Sequence, residues 1–179
     1  MRRCLVLITL LLSTSASTAS AVTAAEAEEV RLTEEMRALA RRNIWIGVDR
    51  MYRALVALDA DLTGKQHIEG AYAAQDLGEI QACYDRLRAA ARSTPTREVI
   101  DWLWAIDNQY GQVEVTAQLG AQLATDEPPL DAVKRKAIET ASLHLSEGGQ
   151  FVGMLPVGEY LVGGAVLTVT SGQRAALAL

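Results

Sequence analysis

The side chains that could carry out chemistry are few, and their spacing favours neither a catalytic site nor a metal site. The chain has two histidines, His67 and His144, and neither has a cysteine or a carboxylate pair at the spacing of metal ligands. Cys83 would need a neighbouring base to act as a nucleophile, and its position on an apolar helical stripe favours a packed small side chain. Asp101 and Asp107 fall on different faces of one helix, which favours solvated carboxylates over an acid pair. We therefore predict no catalytic residue, no metal and no cofactor.

The tryptophans give the strongest indication of a binding surface. Trp102 lies on the stripe of its helix that faces the core, whereas Trp104 and Ile100 lie on a second apolar face. Two interpretations stay open for this face: the C-terminal part of the protein covers it, or it forms a groove for a partner peptide. Trp45 raises the same choice. The predicted partner-binding residues are therefore Trp45, Ile100 and Trp104.

The N-terminus predicts export. Met1-Arg2-Arg3 is followed by an apolar run over residues 4–12 and by a small, polar segment that ends at Ala21. This is the layout of a signal peptide over residues 1–21, cleaved after Ala21, with Ala24 and Ala25 as alternative sites. The apolar run is well under the roughly 20 residues that span a bilayer. We therefore predict a secreted or periplasmic protein with no membrane span after cleavage.

Charge and cysteine usage limit the classes of partner and of stabilisation. The 179-residue chain has a formal charge of −5, and the loss of Arg2 and Arg3 on cleavage takes it to −7. An acidic chain without a basic cluster is a poor candidate for binding nucleic acid or an anionic membrane. Cleavage leaves Cys83 as the single cysteine, so the mature chain has no internal disulfide. Its stability must come from packing.

Hydrophobic periodicity predicts a mainly α chain, with a leader over residues 22–32 and a helical-hairpin domain over residues 33–110. On the second helix of this domain, Asp49 and Arg53 fall on the side away from the apolar stripe. Helices of this length, joined by turns of a few residues, form antiparallel hairpins, and a faint repeat of about 33–35 residues relates them. The first three predicted helices cover residues 33–42, 44–58 and 64–76. A fourth begins at Ile80 and ends at Thr94-Pro95, and a fifth begins after a cap at Thr96.

Residues 64–95 resemble one tetratricopeptide unit. The matching positions are the small residues Ala71, Cys83 and Ala90, the turn glycine Gly78, the bulky Leu87 and the closing Pro95. Two positions depart from the family pattern, since Ala74 replaces a tyrosine and His67 replaces a large residue early in the first helix. The resemblance implies stacked helix pairs that bind a partner in a groove. A plain helical bundle with alanine-rich interfaces is the alternative.

A small α+β domain is predicted over residues 111–172, with a tail over residues 173–179. A strand over 111–119, for which a last helix is the alternative, leads through a loop over 124–129 to a helix over 130–147 capped by Gly148. Three antiparallel strands follow as a meander, turning at Leu155–Gly158 and at Gly163-Gly164. The earlier strand and the helix are expected to cover the meander.

The pattern of Leu155, Pro156, Gly158 and Tyr160 in this meander resembles the prealbumin-like, or carboxypeptidase regulatory-like, β-sandwich modules of secreted proteins. The resemblance covers a short segment, and the long helix before it departs from a plain sandwich. No function follows from it.

These features predict an exported, non-enzymatic binding or assembly module that recognises a protein or peptide partner in the cell envelope. The alternative is a secreted protein that binds carbohydrate or a cell-wall polymer through its β-rich C-terminus. That alternative requires exposed aromatic rings there, and the available rings, Phe151 and Tyr160, are expected to face inward. A hydrolase would require His67, His144 or Cys83 beside a carboxylate in a cleft. The sequence leaves the oligomeric state open.

Overall fold

A computed structural model describes the backbone of residues 16–179 and the side chains of residues 24–179, and the predicted signal peptide with its cleavage site after Ala21 lies outside the residues whose side chains are described. This part of the chain is mainly α with a β C-terminal part, as predicted. Its helices are α1 (Ala16–Ala40), α2 (Trp45–Ala57), α3 (Gly64–Asp76), α4 (Ile80–Ser93), α5 (Arg97–Gln109) and α6 (Ala132–Gly148). Its strands are β1 (Tyr110–Thr116), β2 (Leu123–Ala124), β3 (Gln150–Pro156), β4 (Gly158–Val162), β5 (Ala165–Val169) and β6 (Arg174–Ala178).

The first helix is longer than the sequence predicts. Residues 22–32, predicted as a frayed leader, lie inside α1. Leu32 and Met36 of α1 are buried in one cluster with Val48 and Leu55 of α2. The alanines and glutamates of the leader have high helix propensity, so the helix extends toward the N-terminus from the turn that Leu32 and Met36 bury.

Side-chain caps begin α3 and α5 at the predicted places. The Thr63 hydroxyl accepts a hydrogen bond from the Gln66 N–H in a capping box, and the Thr96 hydroxyl accepts one from the Val99 N–H at the start of α5. The end of α6 differs from the prediction by one residue. Gly149, with a φ of 67°, is the left-handed residue after α6, whereas Gly148 is its last helical residue.

Helices α1 to α5 pack in chain order, each against the next, and the most extensive of these contacts joins α3 and α4. Cys83, Leu87 and Ala90 of α4 share a fully buried cluster with Ala71 and Ala74 of α3. The small side chains let the two helices approach closely, since protein interiors pack at the density of organic crystals. The predicted burial of Cys83 is confirmed.

The strands form two three-stranded sheets in place of the predicted meander. In the first sheet β1 is central, antiparallel to β3 and parallel to β6. In the second sheet β4 is central and antiparallel to both β2 and β5. The meander predicted that β3 pairs with β4, and this pairing is wrong because β3 pairs with β1. Of the three predicted strands, β4 and β5 alone form a hairpin.

The bend between β3 and β4 explains this difference. Pro156 ends β3, and the hydroxyl of Tyr160 donates a hydrogen bond to the Pro156 carbonyl oxygen at 2.7 Å, across the bend that Gly158 completes. This bond holds the segment as a corner between two sheets instead of a reversal within one. Gly163 and Gly164 both have positive φ, 56° and 89°, which a two-residue hairpin loop requires. The hairpin predicted at these glycines is confirmed.

Three further boundaries differ from the prediction. Residues 173–179, predicted as a tail, contain β6, whose backbone pairs with β1. The strand predicted over 111–119 ends at Thr116, and β2 begins at Leu123, just before the predicted loop. The ends of a strand depend on which of its backbone N–H and C=O groups find partners in a neighbouring strand, and hydrophobic periodicity does not reveal those partners.

Helix α6 joins the helical part to the sheets. Ala137 belongs to the same buried cluster as the α3 and α4 residues, whereas Ala141 and Leu145 belong to the cluster between the sheets. The Thr140 hydroxyl also donates a hydrogen bond to the Leu77 carbonyl oxygen at 2.9 Å. The two predicted domains therefore share a packed junction.

Candidate binding surface

One side of α5 is apolar and exposed. Val99 and Ile106 are buried because they lie on the stripe of α5 that packs toward α4. Ile100 and Trp104 lie roughly 100° and 140° round the helix from Val99. They are 51% and 68% exposed, and Leu103 between the two stripes is half-buried. The helix therefore presents a second apolar stripe that the described side chains of residues 24–179 leave open.

This exposure decides between the two interpretations of Trp104. With the C-terminal part of the chain in place, two thirds of the Trp104 side chain remains accessible. The interpretation in which the C-terminal part covers Trp104 is therefore wrong. The physical reason is where the C-terminal part packs: α6 contacts α3 and β3 contacts α4, whereas the main contact with α5 is made by β1, which follows it directly in the chain.

Trp45 belongs to a different surface. Its ring stacks on that of Tyr72, with centroids 5.9 Å apart, and Tyr72 packs in turn against Trp102, with centroids 4.6 Å apart. These three rings tie α2, α3 and α5 together. Trp102 lies roughly 160° round α5 from Trp104, since successive residues of a helix are about 100° apart. The structure therefore brings Ile100 and Trp104 together and places Trp45 in a row of rings on another side of α5.

Charged side chains flank the exposed stripe. Arg97 Nε lies 2.9 Å from Asp101 Oδ1 in an exposed pair one turn apart. Asp107 instead faces α4, where burial, followed by a hydrogen bond with Asp107, raises the pKa of Tyr84. We refer to Ile100, Trp104, Arg97 and Asp101 together as the α5 face. Exposed ion pairs of this kind contribute little to stability.

A buried ionic cluster, which the sequence analysis did not identify, lies between α2, α3 and α4. Asp49 and Arg86 are each 7% exposed, and Arg86 Nη2 lies 2.7 Å from Asp49 Oδ1. Asp49 Oδ2 accepts a hydrogen bond from Arg53 Nε at 2.7 Å, and Arg86 Nη1 donates one to the Gly70 carbonyl oxygen at 2.7 Å. The Arg86 guanidinium also lies over the Tyr52 ring, 4.2 Å from its centroid.

The prediction that placed Asp49 on the solvent side of α2 is wrong. Asp49 Oδ1 makes its contact with Arg86 as an ion pair that lacks hydrogen-bond angles, and its other oxygen is held by Arg53. The available signals were the i, i+4 spacing of Asp49 and Arg53 and the position of Arg86 beside Leu87 on the buried stripe. The charges of the cluster are satisfied mainly by one another, which indicates a structural role in joining three helices.

The two histidines and the cysteine lie in separate surroundings. The hydroxyl of Tyr52 lies 2.9 Å from His67 Nδ1, and burial, followed by the charge of Arg86, lowers the pKa of His67. Burial raises the pKa of the Cys83 thiol to about 12, so the thiol stays protonated and is a poor nucleophile. The ring of His144 lies against a different part of the fold, 6.0 Å from that of Phe151.

Two cavities lie on the C-terminal part and at its junction with the helices. The larger, of 540 Å³, is lined by the loop before α6, by Lys134 and by Glu159 and Tyr160 of β4. The smaller, of 320 Å³, has His144 and Glu79 in its wall, and the Glu79 carboxylate is held by Arg53 at 2.5 Å.

The aromatic rings of the C-terminal part face inward, as predicted. Phe151 and Tyr160 are both buried in the cluster between the two sheets. The Tyr160 hydroxyl is occupied by its bond to the Pro156 carbonyl oxygen. Flat aromatic surfaces that could stack on a sugar ring are therefore not provided by these two residues.

No family model, no curated protein and no solved structure matches this chain. None of the helices in the described residues has the length and apolarity to cross a membrane. Among the side chains of residues 24–179, no group of three or more metal-ligating residues is placed to hold an ion.

Proposed function

We propose that this protein is an exported, non-enzymatic binding or assembly module that recognises a protein or peptide partner in the cell envelope through the α5 face. The observation that carries the proposal is the exposure of Trp104 beside Ile100 on a folded helix. Exposed tryptophans are enriched among the residues that dominate the binding energy of interfaces. Export rests on the layout of residues 1–21.

We also propose that helices α1 to α5 form a tetratricopeptide-like stack. The support is the packing of consecutive helices and the burial of the small residues Ala71, Cys83 and Ala90, which carry the resemblance. In such a stack the last helix lacks a following neighbour, so its outer side is open. The α5 face has that position, because α5 is followed by a strand.

The carbohydrate-binding alternative loses its support. It depended on exposed aromatic rings at the β-rich end, and Phe151 and Tyr160 are buried. The larger cavity has Tyr160 in its wall, but this residue is only 3% exposed and its hydroxyl is bonded to the Pro156 carbonyl oxygen. The partner proposal is therefore the better supported of the two.

The test is capture from envelope extract with the purified protein as bait. We expect a specific partner to be recovered by the wild type and lost with Trp104→Ala or Ile100→Ala, because these changes remove the apolar stripe. Leu119→Ala is the matched control, since Leu119 is 75% exposed but lies on the C-terminal part. Capture that is absent, or that all variants retain, would contradict the proposal.

Trp45 provides a second control within the predicted set. Its ring packs on Tyr72, so we expect Trp45→Ala to lower the free energy of unfolding by more than Trp104→Ala does. If Trp45→Ala removes the partner without loss of stability, the partner binds the row of rings and not the α5 face.

A further inference from the structure

We propose that the larger cavity, of 540 Å³, binds a small organic cation, namely an ammonium group carried on an aliphatic chain. The cavity lies on the C-terminal part, so this site does not depend on the α5 face or on the proposed function. Its volume is within the range of small-molecule sites, roughly 300–1,000 Å³. Its wall combines an apolar surface with a surplus of negative charge, and the two features together select the class of ligand.

The apolar part of the wall comes mainly from the hairpin of β4 and β5. Leu161 of β4 and Val166 of β5 are direct cross-strand partners, so their side chains leave the sheet on the same face. They are 39% and 59% exposed, and both line the cavity. Pro156 at the end of β3 and Ile138 of α6 extend this wall. A ligand with an aliphatic chain would remove this apolar surface from water, which favours binding.

The charged part of the wall favours a cation over an anion. Asp126 and Glu127 of the loop before α6 and Glu159 of β4 contribute three carboxylates, and Lys134 of α6 contributes one ammonium group, which leaves a surplus of two negative charges. None of these four side chains forms an ion pair with another side chain of residues 24–179. A cationic ligand would therefore meet carboxylates that no other described side chain neutralises, whereas an anionic ligand would be repelled.

The register of the strands separates the acidic end of the site from the apolar end. Glu159 and Leu161 lie on the same face of β4, on either side of the buried Tyr160, about 7 Å apart along the strand. Ala124 of the antiparallel strand β2 is paired with Leu161, so the chain after Ala124 continues toward the level of Glu159 and brings Asp126 to that end. The ligand's ammonium group would lie at the Glu159 end, and its chain would lie over Leu161.

Isothermal titration calorimetry of the purified full-length protein with hexylammonium chloride tests the inference. We expect saturable binding of one equivalent, with a Kd in the millimolar range or just below it, because so small a ligand makes few contacts. Hexanol, which lacks the charge, and methylammonium, which lacks the chain, should each bind at least about fivefold more weakly. The affinity for hexylammonium should fall as the salt concentration rises.

Charge variants at the cavity locate the site. Glu159→Gln keeps the size of the side chain and should raise the Kd about threefold or more, whereas Lys134→Met removes a like charge and should lower the Kd. Glu114→Gln is the matched control, because Glu114 is an exposed strand carboxylate paired with Arg174 outside the cavity. It should leave the Kd unchanged, as should Trp104→Ala on the α5 face. Circular dichroism checks that each variant is folded.

The source of the ammonium group is decided by a second probe, N-acetyl-lysine methylamide. Binding as tight as that of hexylammonium would show that a lysine side chain of a polypeptide can supply the cation, and weaker binding would favour a free alkylamine. The absence of saturable hexylammonium binding overturns the inference. So does hexanol binding of equal strength, or an equal loss of affinity in Glu159→Gln and Glu114→Gln. None of these results bears on capture of a partner through Trp104, so the proposed function is tested separately.

Discussion

Replacing Arg86 by methionine should lower the free energy of unfolding by about 3 kcal/mol. Removing one partner of a buried ion pair typically costs about 3–5 kcal/mol. Arg86 also gives up a charged hydrogen bond to the Gly70 carbonyl oxygen and its position over the Tyr52 ring. We expect the lower end of the range because Asp49 keeps Arg53 as a second partner, and because methionine retains part of the apolar packing.

The measurement is urea unfolding followed by circular dichroism. With a slope of about 2 kcal/mol per molar urea, the expected loss moves the midpoint down by about 1.5 M. Arg97→Met is the matched control, because Arg97 pairs with Asp101 at the surface. We expect this control to cost less than about 1 kcal/mol.

A double variant separates the charge from the packing. Changing Asp49 to leucine together with Arg86→Met removes both members of the buried pair, and apolar replacement of a whole buried pair is often neutral. We therefore expect the double variant to be more stable than Arg86→Met alone. If Arg86→Met costs no more than Arg97→Met, the ionic cluster does not hold the helices together and the reasoning fails.

Three further predictions follow from single side chains. Gly78→Ala should destabilise the protein by about 2 kcal/mol or more in urea unfolding, because Gly78 has a φ of 77° and an added Cβ would lie 2.6 Å from the Lys136 carbonyl oxygen. An unchanged midpoint would contradict it. Burial, followed by the charge of Arg86, lowers the pKa of His67 from 6.5, so the unfolded chain binds the proton more readily than the fold does. The stability that neutral His67 contributes is therefore complete above pH 6.5 and decreases as the pH falls below 6.5. We expect the free energy of unfolding to fall less on acidification in His67→Gln than in the wild type. An equal fall in both proteins would refute the assignment. Because burial raises its pKa to about 12, Cys83 should react with iodoacetamide only after unfolding, as peptide mass spectrometry can measure, and rapid labelling of the native protein would contradict this.

The helical elements were predictable because their signals are local. The Thr63 and Thr96 caps and the apolar spacing between them place α3 and α5 within a residue or two of their observed bounds. The hairpin at Gly163-Gly164 was predictable for the same reason, since only positive φ at both positions closes a two-residue loop of this kind. Each of these features depends on neighbours close in the chain.

The errors concern partners that are distant in the chain. The apolar alternation of residues 150–156 identifies a strand but not its neighbour, and the neighbour is β1, some 40 residues earlier. Likewise, Asp49 has the sequence context of a surface residue, and only the arrival of Arg86 from α4 makes its burial possible.

The sequence by itself determined that the protein is mainly helical with a β-rich end, that Cys83 is a core residue, and that Ile100 and Trp104 share a face separate from the core stripe of their helix. These follow from periodicity, which fixes the direction of a side chain relative to its own element. The tertiary structure decided that the C-terminal part leaves the α5 face open, that Trp45 belongs elsewhere, and that Asp49 and Arg86 are buried together. These features depend on which elements pack against each other. The energy of such a contact depends on the residues of both elements, so neither segment alone determines it.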